Sequence, residues 1–212
     1  MERGVGPLSA ADLVARARQV VEAEAQSVRA LAAQWAEDLV EIVRMLLECR
    51  GHVLVTGAGT SHAIAQRFAH LLSCSGVPAL CISAADSLHG SAGAITANDL
   101  VYVISKGGQS AEINQFVDVA RARGARIIAQ TERPESPLAR RCDRVLVVRA
   151  EGEVDPYGMV ALGSSLVNAA AGDVLCTLVL ESGGYSKEAF GRTHPGGAVG
   201  AALQQERGEV EG

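Results

Sequence analysis

The chain has 212 residues, with 19 Lys and Arg against 24 Asp and Glu, which gives a formal charge of −5. Hydrophobic residues make up 48% and aromatic residues 3%, so a disordered chain is excluded and any core is aliphatic. Nucleic-acid binding typically needs a basic surface and aromatic rings that stack on bases. This chain is acidic and has few aromatic rings, so no nucleic-acid partner is expected.

The first fifty residues carry helical patterns. Ser9 and Asp12 have the spacing of a helix-capping pair, and apolar residues then recur at helical spacing up to Leu31. A second helical run covers Leu39–Leu47. Neither run has a partner for its apolar face nearby in the sequence. Residues 1–50 are therefore predicted to be a helical segment that packs on the rest of the fold or on another subunit.

After Gly51, short β-branched runs alternate with longer helical stretches, a pattern typical of β-α-β units. The runs are almost continuously apolar, as expected for strands covered by helices on both faces of a sheet. Residues 51–205 are thus predicted to form a three-layer, doubly wound α/β domain of flavodoxin-like type, with a five-stranded parallel sheet. The predicted strands are His52–Thr56, Ala79–Ser83, Leu100–Ser105, Arg126–Gln130 and Arg144–Val148.

Three crossover segments are predicted between these strands, and each opens with a hydroxyl residue that can cap a helix. A later apolar stretch, Tyr157–Leu180, is interrupted by Asn168 and Asp173, which favours a buried helix over a membrane span. Residues 206–212 are charged and are predicted to be a frayed tail. The crossover segments are Ser61–Ser75, Ser110–Arg123 and the short turn Ser136–Arg141.

The five cysteines are scattered, with no pair at C-x-x-C spacing, and most lie in apolar runs typical of small buried side chains. The histidines and cysteines show no metal-ligand pattern, so no metal is expected. The N-terminus lacks the apolar segment of a secretory signal. These features predict a cytoplasmic protein with no membrane partner.

Two glycine-rich segments follow predicted strands, where open parallel sheets bind their ligands. They are Gly57–Ser61 and Ser105–Ser110, and both lead into a helix. Bare backbone and free helix N–H groups at such a junction favour a phosphate. The predicted phosphate-binding residues are Gly59, Thr60, Ser61, Ser105, Lys106, Gly107, Gly108, Gln109 and Ser110.

These loops also allow two alternative interpretations. Strand-to-helix turns use glycine and serine merely to reverse the chain. Gly57 and Gly59 also begin a dinucleotide-binding fingerprint, with Asp86 near the position of the ribose acid. However, His62 stands where the third glycine of that fingerprint belongs, and the second loop has no role in it. A dinucleotide is therefore the least favoured ligand, and no cofactor is expected.

Three motifs together resemble the sugar isomerase (SIS) domain family, and more narrowly its arabinose 5-phosphate isomerase branch. The resemblance covers nearly the whole chain up to Leu203. Because the chain ends shortly after, the CBS regulatory modules that follow the domain in many relatives are not expected. The motifs are Leu88-His89-Gly90, the loop Ser105–Ser110 followed by Glu112, and the string HPGGAVG at His194–Gly200.

The resemblance implies an isomerase that interconverts aldose and ketose phosphates through an enediol, without a metal or nucleotide. A histidine suits the proton transfer because its ordinary pKa lies near 6.5, and His194 is the leading candidate base. In relatives this histidine reaches the site of a neighbouring subunit, which implies a homo-oligomer, expected to be a dimer of dimers. Glu151 and Asp155 remain rivals for the role of Glu153. The implied catalytic residues are His194, His89, Glu112 and Glu153.

The chain departs from the family at several positions. Thr60 stands where the family's first loop normally carries a lysine, whereas Lys106 stands where its second loop normally carries an asparagine. We hypothesise that Lys106 replaces the missing charge, by contacting phosphate or polarising the carbonyl. Ser91 replaces an aspartate, which leaves the sugar open. The missing loop lysine also leaves a second function open, a phosphosugar-binding sensor without turnover.

Overall fold

The structure of the chain is a computed structural model that describes residues 8–210. The strands are β1 (Val53–Gly57), β2 (Ala79–Cys81), β3 (Leu100–Ile104), β4 (Arg126–Thr131) and β5 (Arg144–Val147). The helices are α1 (Ala10–Leu31), α2 (Glu37–Leu47), α3 (Thr60–Cys74), α4 (Ala84–Ser87), α5 (Ala111–Ala122), α6 (Gly163–Gly183), α7 (Lys187–Thr193) and α8 (Gly197–Val210). After two N-terminal helices, strands and helices alternate from β1 to β4; β5 then follows without an α-helix in between, and three helices come after β5 in the described chain.

The five strands form one parallel sheet in the order β2-β1-β3-β4-β5, which confirms the predicted α/β class. This order is the flavodoxin-like one. Each strand lies within two residues of its prediction. Strand β2 ends at Cys81 rather than Ser83, because the Ser83 hydroxyl accepts a hydrogen bond from the Asp86 N–H and caps α4.

Helices cover the sheet on both faces and divide the core in two. Val55, Tyr102 and Leu72 belong to the larger cluster, which also takes in residues of α2 and α6. Val103 and Phe116 belong to the second cluster, which lies on the face covered by α5. The alternation of β-strand side chains between the two faces explains this division.

Helix α6 is the one helix in the described chain that has the length and apolar composition to cross a membrane. Half of its most apolar stretch is nevertheless buried inside the fold. Val167, Ala171 and Leu175 are fully buried and join the larger core cluster. The helix therefore serves as the buried core helix that the sequence predicts.

The N-terminal helices pack on the α/β layers. The predicted capping pair is present, with Ser9 and Asp12 bonded in both directions at the start of α1. Helix α2 buries Ile42 in the core, whereas α1 leaves Leu13 55% and Val21 66% exposed. Helix α8 runs to Val210. The proposed boundaries at 50 and 205 stay a prediction, and residues 1–7 and 211–212 lie outside the described chain.

Candidate active site

The first glycine loop turns sharply between β1 and α3. Gly59 has φ +56° and occupies the N-cap position of α3, a conformation that favours glycine. A Cβ at Gly57 would lie 2.7 Å from the backbone of Ser61, so loop and helix pack closely. The prediction that a hydroxyl caps this helix is wrong, because Gly59 takes that position. Within residues 8–210 the hydroxyls of Thr60 and Ser61 form no hydrogen bond with the protein, which leaves them free for a ligand.

Hydrogen bonds from neighbouring residues stabilise the second glycine loop. The Ser105 hydroxyl accepts a hydrogen bond from the Gly108 N–H at 3.2 Å, and the Asn114 amide donates to the carbonyls of Gly108 and Ser110 at 3.3 and 2.9 Å. Ser110 precedes α5, but its side chain forms no capping bond, so that part of the prediction is also wrong. The loop conformation is therefore fixed by Ser105 within the loop and by Asn114 of α5.

A cavity of about 330 Å³ lies beside the first loop, at the carboxyl end of β1 and between the first turns of α4 and α5. The strand order reverses at this point, which is where open α/β sheets bind ligands. Glu112, from the first turn of α5, lines this cavity together with Gly59. His62, which stands where the third glycine of a dinucleotide fingerprint would be, lines it as well. The lining also includes Gly57, Ser83 and Ile113.

Lys106 and Glu153 meet at the same edge of the sheet. The ammonium of Lys106 lies 2.5 Å from Oε1 of Glu153, whose side chain is only 3% exposed. The backbone N–H of Ser164 donates to Oε2 at 3.3 Å. Burial by itself raises the pKa of Glu153, but the hydrogen bonds from Lys106 and Ser164 prevail and hold it below its ordinary value. Glu153 is therefore a carboxylate at neutral pH.

Glu151 and Asp155, the alternative candidates for the role of Glu153, do not pair with Lys106 in the structure. The carboxylate of Asp155 accepts hydrogen bonds from the backbone N–H groups of Tyr157, Met159 and Val160, so it shapes its own loop. Glu151 is exposed. Glu153 is thus the acidic residue of this segment that contacts Lys106.

A larger cavity, of about 730 Å³, borders the second loop. Gly107 and Gln109 line it from the loop, and Arg133 and Arg149 line it from the ends of β4 and β5. Neither guanidinium forms an ion pair with another described residue. Neither arginine is predicted from the sequence, because the spacing of Arg133 and Arg149 along the chain does not show that they share a cavity.

The two histidines of the resemblance lie apart from each other. His89 is exposed after α4, and its ring forms no hydrogen bond with the described residues. His194 follows α7, where it stacks on Phe190 with ring centroids 3.8 Å apart. Its Nε2 lies 3.4 Å from Sγ of Cys74, the last residue of α3. Since a 15-residue helix is about 22 Å long, His194 lies far from the glycine loops of its own chain.

The structure thus brings together some predicted site residues and separates others. Glu112 joins the first loop, and Glu153 joins Lys106 of the second loop. His194 joins neither within one chain. Among residues 8–210, no group of three or more His, Cys, Asp or Glu side chains could hold a metal ion.

The chain is an open α/β protein with two glycine-rich, strand-to-helix loops at the carboxyl edge of its parallel sheet, the arrangement with which such folds bind phosphates. The SIS domain matches residues 45–177, and the chain belongs to this family, as its motifs predict. It is 32% identical over 186 residues to the arabinose 5-phosphate isomerase GutQ of Salmonella typhi, a match that covers 88% of this chain and 58% of the relative. The chain therefore spans less than two thirds of the length of that relative.

Two solved structures are similar over their whole length. A Listeria monocytogenes protein classed as a candidate sugar-phosphate isomerase superimposes with a TM-score of 0.87 at 29% identity, covering 90% of this chain and 100% of that one. An Escherichia coli CFT073 protein in complex with arabinose 5-phosphate superimposes with a TM-score of 0.85 at 26% identity, covering 89% and 100%.

Proposed function

We propose that the protein is an aldose–ketose isomerase of sugar phosphates, of the arabinose 5-phosphate isomerase type. The observation that carries this proposal is that two phosphate-type loops follow β1 and β3 at the carboxyl edge of the sheet, and each has a carboxylate beside it. Glu112 lies beside the first loop, and the buried Glu153 pairs with Lys106 of the second. The name of GutQ and the arabinose 5-phosphate bound to the Escherichia coli protein support the same substrate class. Such a protein is expected to act in the cytoplasm.

The chemistry needs a phosphate anchor, a base and an acid. The N–H groups and free hydroxyls of the two loops bind the phosphate and hold the sugar chain. A base takes the proton from C2 of the aldose while an acid protonates O1, which gives the enediol. The same groups then return a proton to C1 and take the proton from O2, which gives the ketose. His194 is proposed as the base, with His89, Glu112 and Glu153 as the groups that complete the proton transfers.

This assignment requires more than one subunit. Because His194 lies at the far end of α3 from its own loops, a second copy of the chain must bring its His194 to them. The exposed apolar residues Leu13 and Val21 on α1 offer one surface for the contact between copies. We propose a homo-oligomer, arranged as a dimer of dimers.

A second function, a sensor that binds phosphosugar without turning it over, is favoured by one observation. Thr60 provides no positive charge in the first loop, and the lysine of the second loop is already paired with a carboxylate. A sensor needs the loops but not the proton transfers.

A turnover screen separates the two functions. Tetrose, pentose and hexose phosphates are incubated with wild type, His194→Ala and His89→Ala, and thermal unfolding is followed with each sugar phosphate. An isomerase converts at least one of them and loses activity in both variants. Thermal stabilisation by a sugar phosphate that is never converted would instead establish the sensor.

A further inference from the structure

The carboxylate of Glu153 is held at both oxygens. Oε1 accepts the hydrogen bond from Lys106, and Oε2 accepts one from the N–H of Ser164 in the first turn of α6. Lys106 is itself anchored, because its carbonyl accepts hydrogen bonds from the Thr131 hydroxyl and from the Glu132 N–H, each at 3.0 Å. Both partners of Glu153 are therefore fixed by the sheet and by α6.

A line of buried polar side chains fixes the first turn of α6. The Tyr102 hydroxyl donates to Gln130 at 2.6 Å, the Gln130 amide donates to Oδ1 of Asn168 at 2.6 Å, and the Asn168 amide donates to the Ser164 carbonyl at 2.7 Å. All four residues are buried. Buried polar groups that are fully paired hold one arrangement, since any displacement leaves an unpaired group. This Tyr102-to-Ser164 line ties the backbone next to Glu153 to strands β3 and β4.

The charges around Lys106 argue against a phosphate anchor. Glu132 lies 4.0 Å from the ammonium, in addition to Glu153 at 2.5 Å. The two carboxylates offset the charge of the Lys106 ammonium, so it attracts a phosphate dianion less than an unpaired cation would. Arg133 and Arg149 border the same loop and form no ion pair with another described residue, so they are better placed to attract an anion. A further cation near Glu153 is Arg16, whose guanidinium donates to the carbonyl of Val154.

Lysine is rare in this chain. Only two of its 19 basic residues are lysines, Lys106 and Lys187, and the rest are arginines. An ammonium is a compact charge, whereas a guanidinium is a wide planar group that prefers two parallel hydrogen bonds. Arginine is the usual basic residue of this chain, but Lys106 stands at this position. Its compact ammonium suits a short contact with a single oxygen of Glu153.

We propose that Lys106 is a positioning residue for Glu153, and that together with the Tyr102-to-Ser164 line it fixes this carboxylate at the active site instead of anchoring phosphate. The inference deepens the proposed function and rests on it for the identity of the reaction. It also revises the hypothesis from the sequence that Lys106 replaces the lysine missing from the first loop. The positive charge of Lys106 instead pairs with Glu153.

The test compares Lys106→Met and Lys106→Gln, which remove the charge, with Lys106→Arg, which keeps it. Lys187→Met is the matched control, since it removes the only other lysine from an exposed pair with Glu206. Thermal unfolding checks that each full-length variant folds. The carboxyl of Glu153 is titrated by NMR in chains labelled with ¹³C-glutamate, and its signal is assigned by its loss in Glu153→Gln.

Two further measurements separate positioning from phosphate binding. One is the affinity for inorganic phosphate by calorimetry, and the other is the pH dependence of kcat/KM for the sugar phosphate found in the screen. Loss of the Lys106 charge is expected to raise the titration midpoint of the Glu153 carboxyl by about one pH unit or more. The acid limb of the pH profile of kcat/KM should then move to higher pH as well. Phosphate affinity should change less than about threefold, and Lys187→Met should stay near wild type. Lys106→Arg keeps a positive charge beside Glu153, so its Glu153 midpoint should move less than in Lys106→Met.

The proposal is overturned if the Glu153 midpoint stays in place in Lys106→Met and Lys106→Gln, whether or not phosphate affinity falls. A fall of tenfold or more with an unmoved midpoint would show that Lys106 is the phosphate anchor. The titration needs no turnover. If the midpoint moves but no sugar phosphate is converted, the positioning of Glu153 stands and the proposed isomerase function fails.

Discussion

Nε2 of His194 lies 3.4 Å from Sγ of Cys74, at the end of α3 opposite to the end where the first glycine loop enters it. The position of His194 is stabilised by stacking on Phe190 and by a contact between Nδ1 and the Phe190 carbonyl at 3.0 Å. The ring therefore has a defined place in its own chain, near the end of α3 that lies away from the predicted phosphate site.

Mixed oligomers provide a direct test of a shared site. Chains carrying His194→Ala and chains carrying Glu112→Gln are each expected to be inactive alone. When the two are co-expressed, some sites combine an intact Glu112 from one chain with an intact His194 from the other, and about a quarter of wild-type activity should return for random pairing. Activity of isomerisation is measured on the purified mixture. Absence of any recovery, with mixed oligomers shown by mass spectrometry, would argue that each site is complete in one chain.

Removal of the Tyr102 hydroxyl should destabilise the fold. Tyr102→Phe leaves the Gln130 carbonyl oxygen without its donor inside the core, which costs about 1–3 kcal/mol. Burial also raises the pKa of Tyr102 well above its ordinary value, so the hydroxyl stays a donor at all ordinary pH. Urea unfolding measures the loss. Tyr157→Phe is the control, because Tyr157 is 78% exposed. This substitution should change the free energy of unfolding by less than about 0.5 kcal/mol.

Gly108 should not tolerate a side chain. Its φ is +62°, and a Cβ there would lie 2.3 Å from the Ser136 hydroxyl. Gly108→Ala is therefore expected to cost about 1–3 kcal/mol for the backbone conformation, in addition to the clash with Ser136. Gly107→Ala is the neighbouring control, because a Cβ at that position meets nothing closer than 4.0 Å. Equal urea midpoints for the two variants would contradict this explanation of the loop.

Asp99 should make the stability depend on pH in the acid range. Burial raises the pKa of Asp99, but hydrogen bonds from the His52 N–H and from the N–H and hydroxyl of Thr96 prevail and lower it below its ordinary value. The stabilisation is therefore complete above the unfolded-state pKa and is lost as pH falls through the lower, folded-state pKa.

The measurement is the difference in unfolding free energy between wild type and Asp99→Asn, followed from about pH 6 down to about pH 3. This difference should shrink at the acid end, because the wild-type carboxyl then becomes protonated. Asp118→Asn, which removes an exposed partner of Arg141, is the control for general charge effects. A difference that stays constant over the whole range would remove Asp99 as the cause.

Much of the fold follows from local sequence. The five strands are found where β-branched runs are bounded by small or polar residues, since that pattern matches a strand buried on both faces. Helix capping was less predictable: Ser9 caps α1 as expected, but Gly59 displaces the hydroxyls of the first loop because only a glycine adopts that turn easily. The local sequence thus predicts that a helix is present, whereas the packing of the loop determines at which residue the helix begins.

The candidate site was only partly visible in the sequence. The loop residues are adjacent along the chain, so their glycine spacing reveals them. The pairing of Lys106 with Glu153, 47 residues apart, depends on how the segment after β5 returns across the sheet. The same holds for His194, whose place depends on the packing of α7 against the end of α3. Contacts of this kind come from tertiary structure, which residue spacing does not encode.

The contact between Lys106 and Glu153 also makes this protein unusual as a target for chemical labelling. Reagents that attack amines find two lysine side chains in the whole chain, and one of them is the Lys106 ammonium, 41% exposed and bound to a buried carboxylate. Acylation there would remove the charge next to Glu153 while the many arginines stay untouched. A general lysine reagent would thus modify at most two side chains in this chain, Lys187, which is 63% exposed, and Lys106 beside Glu153.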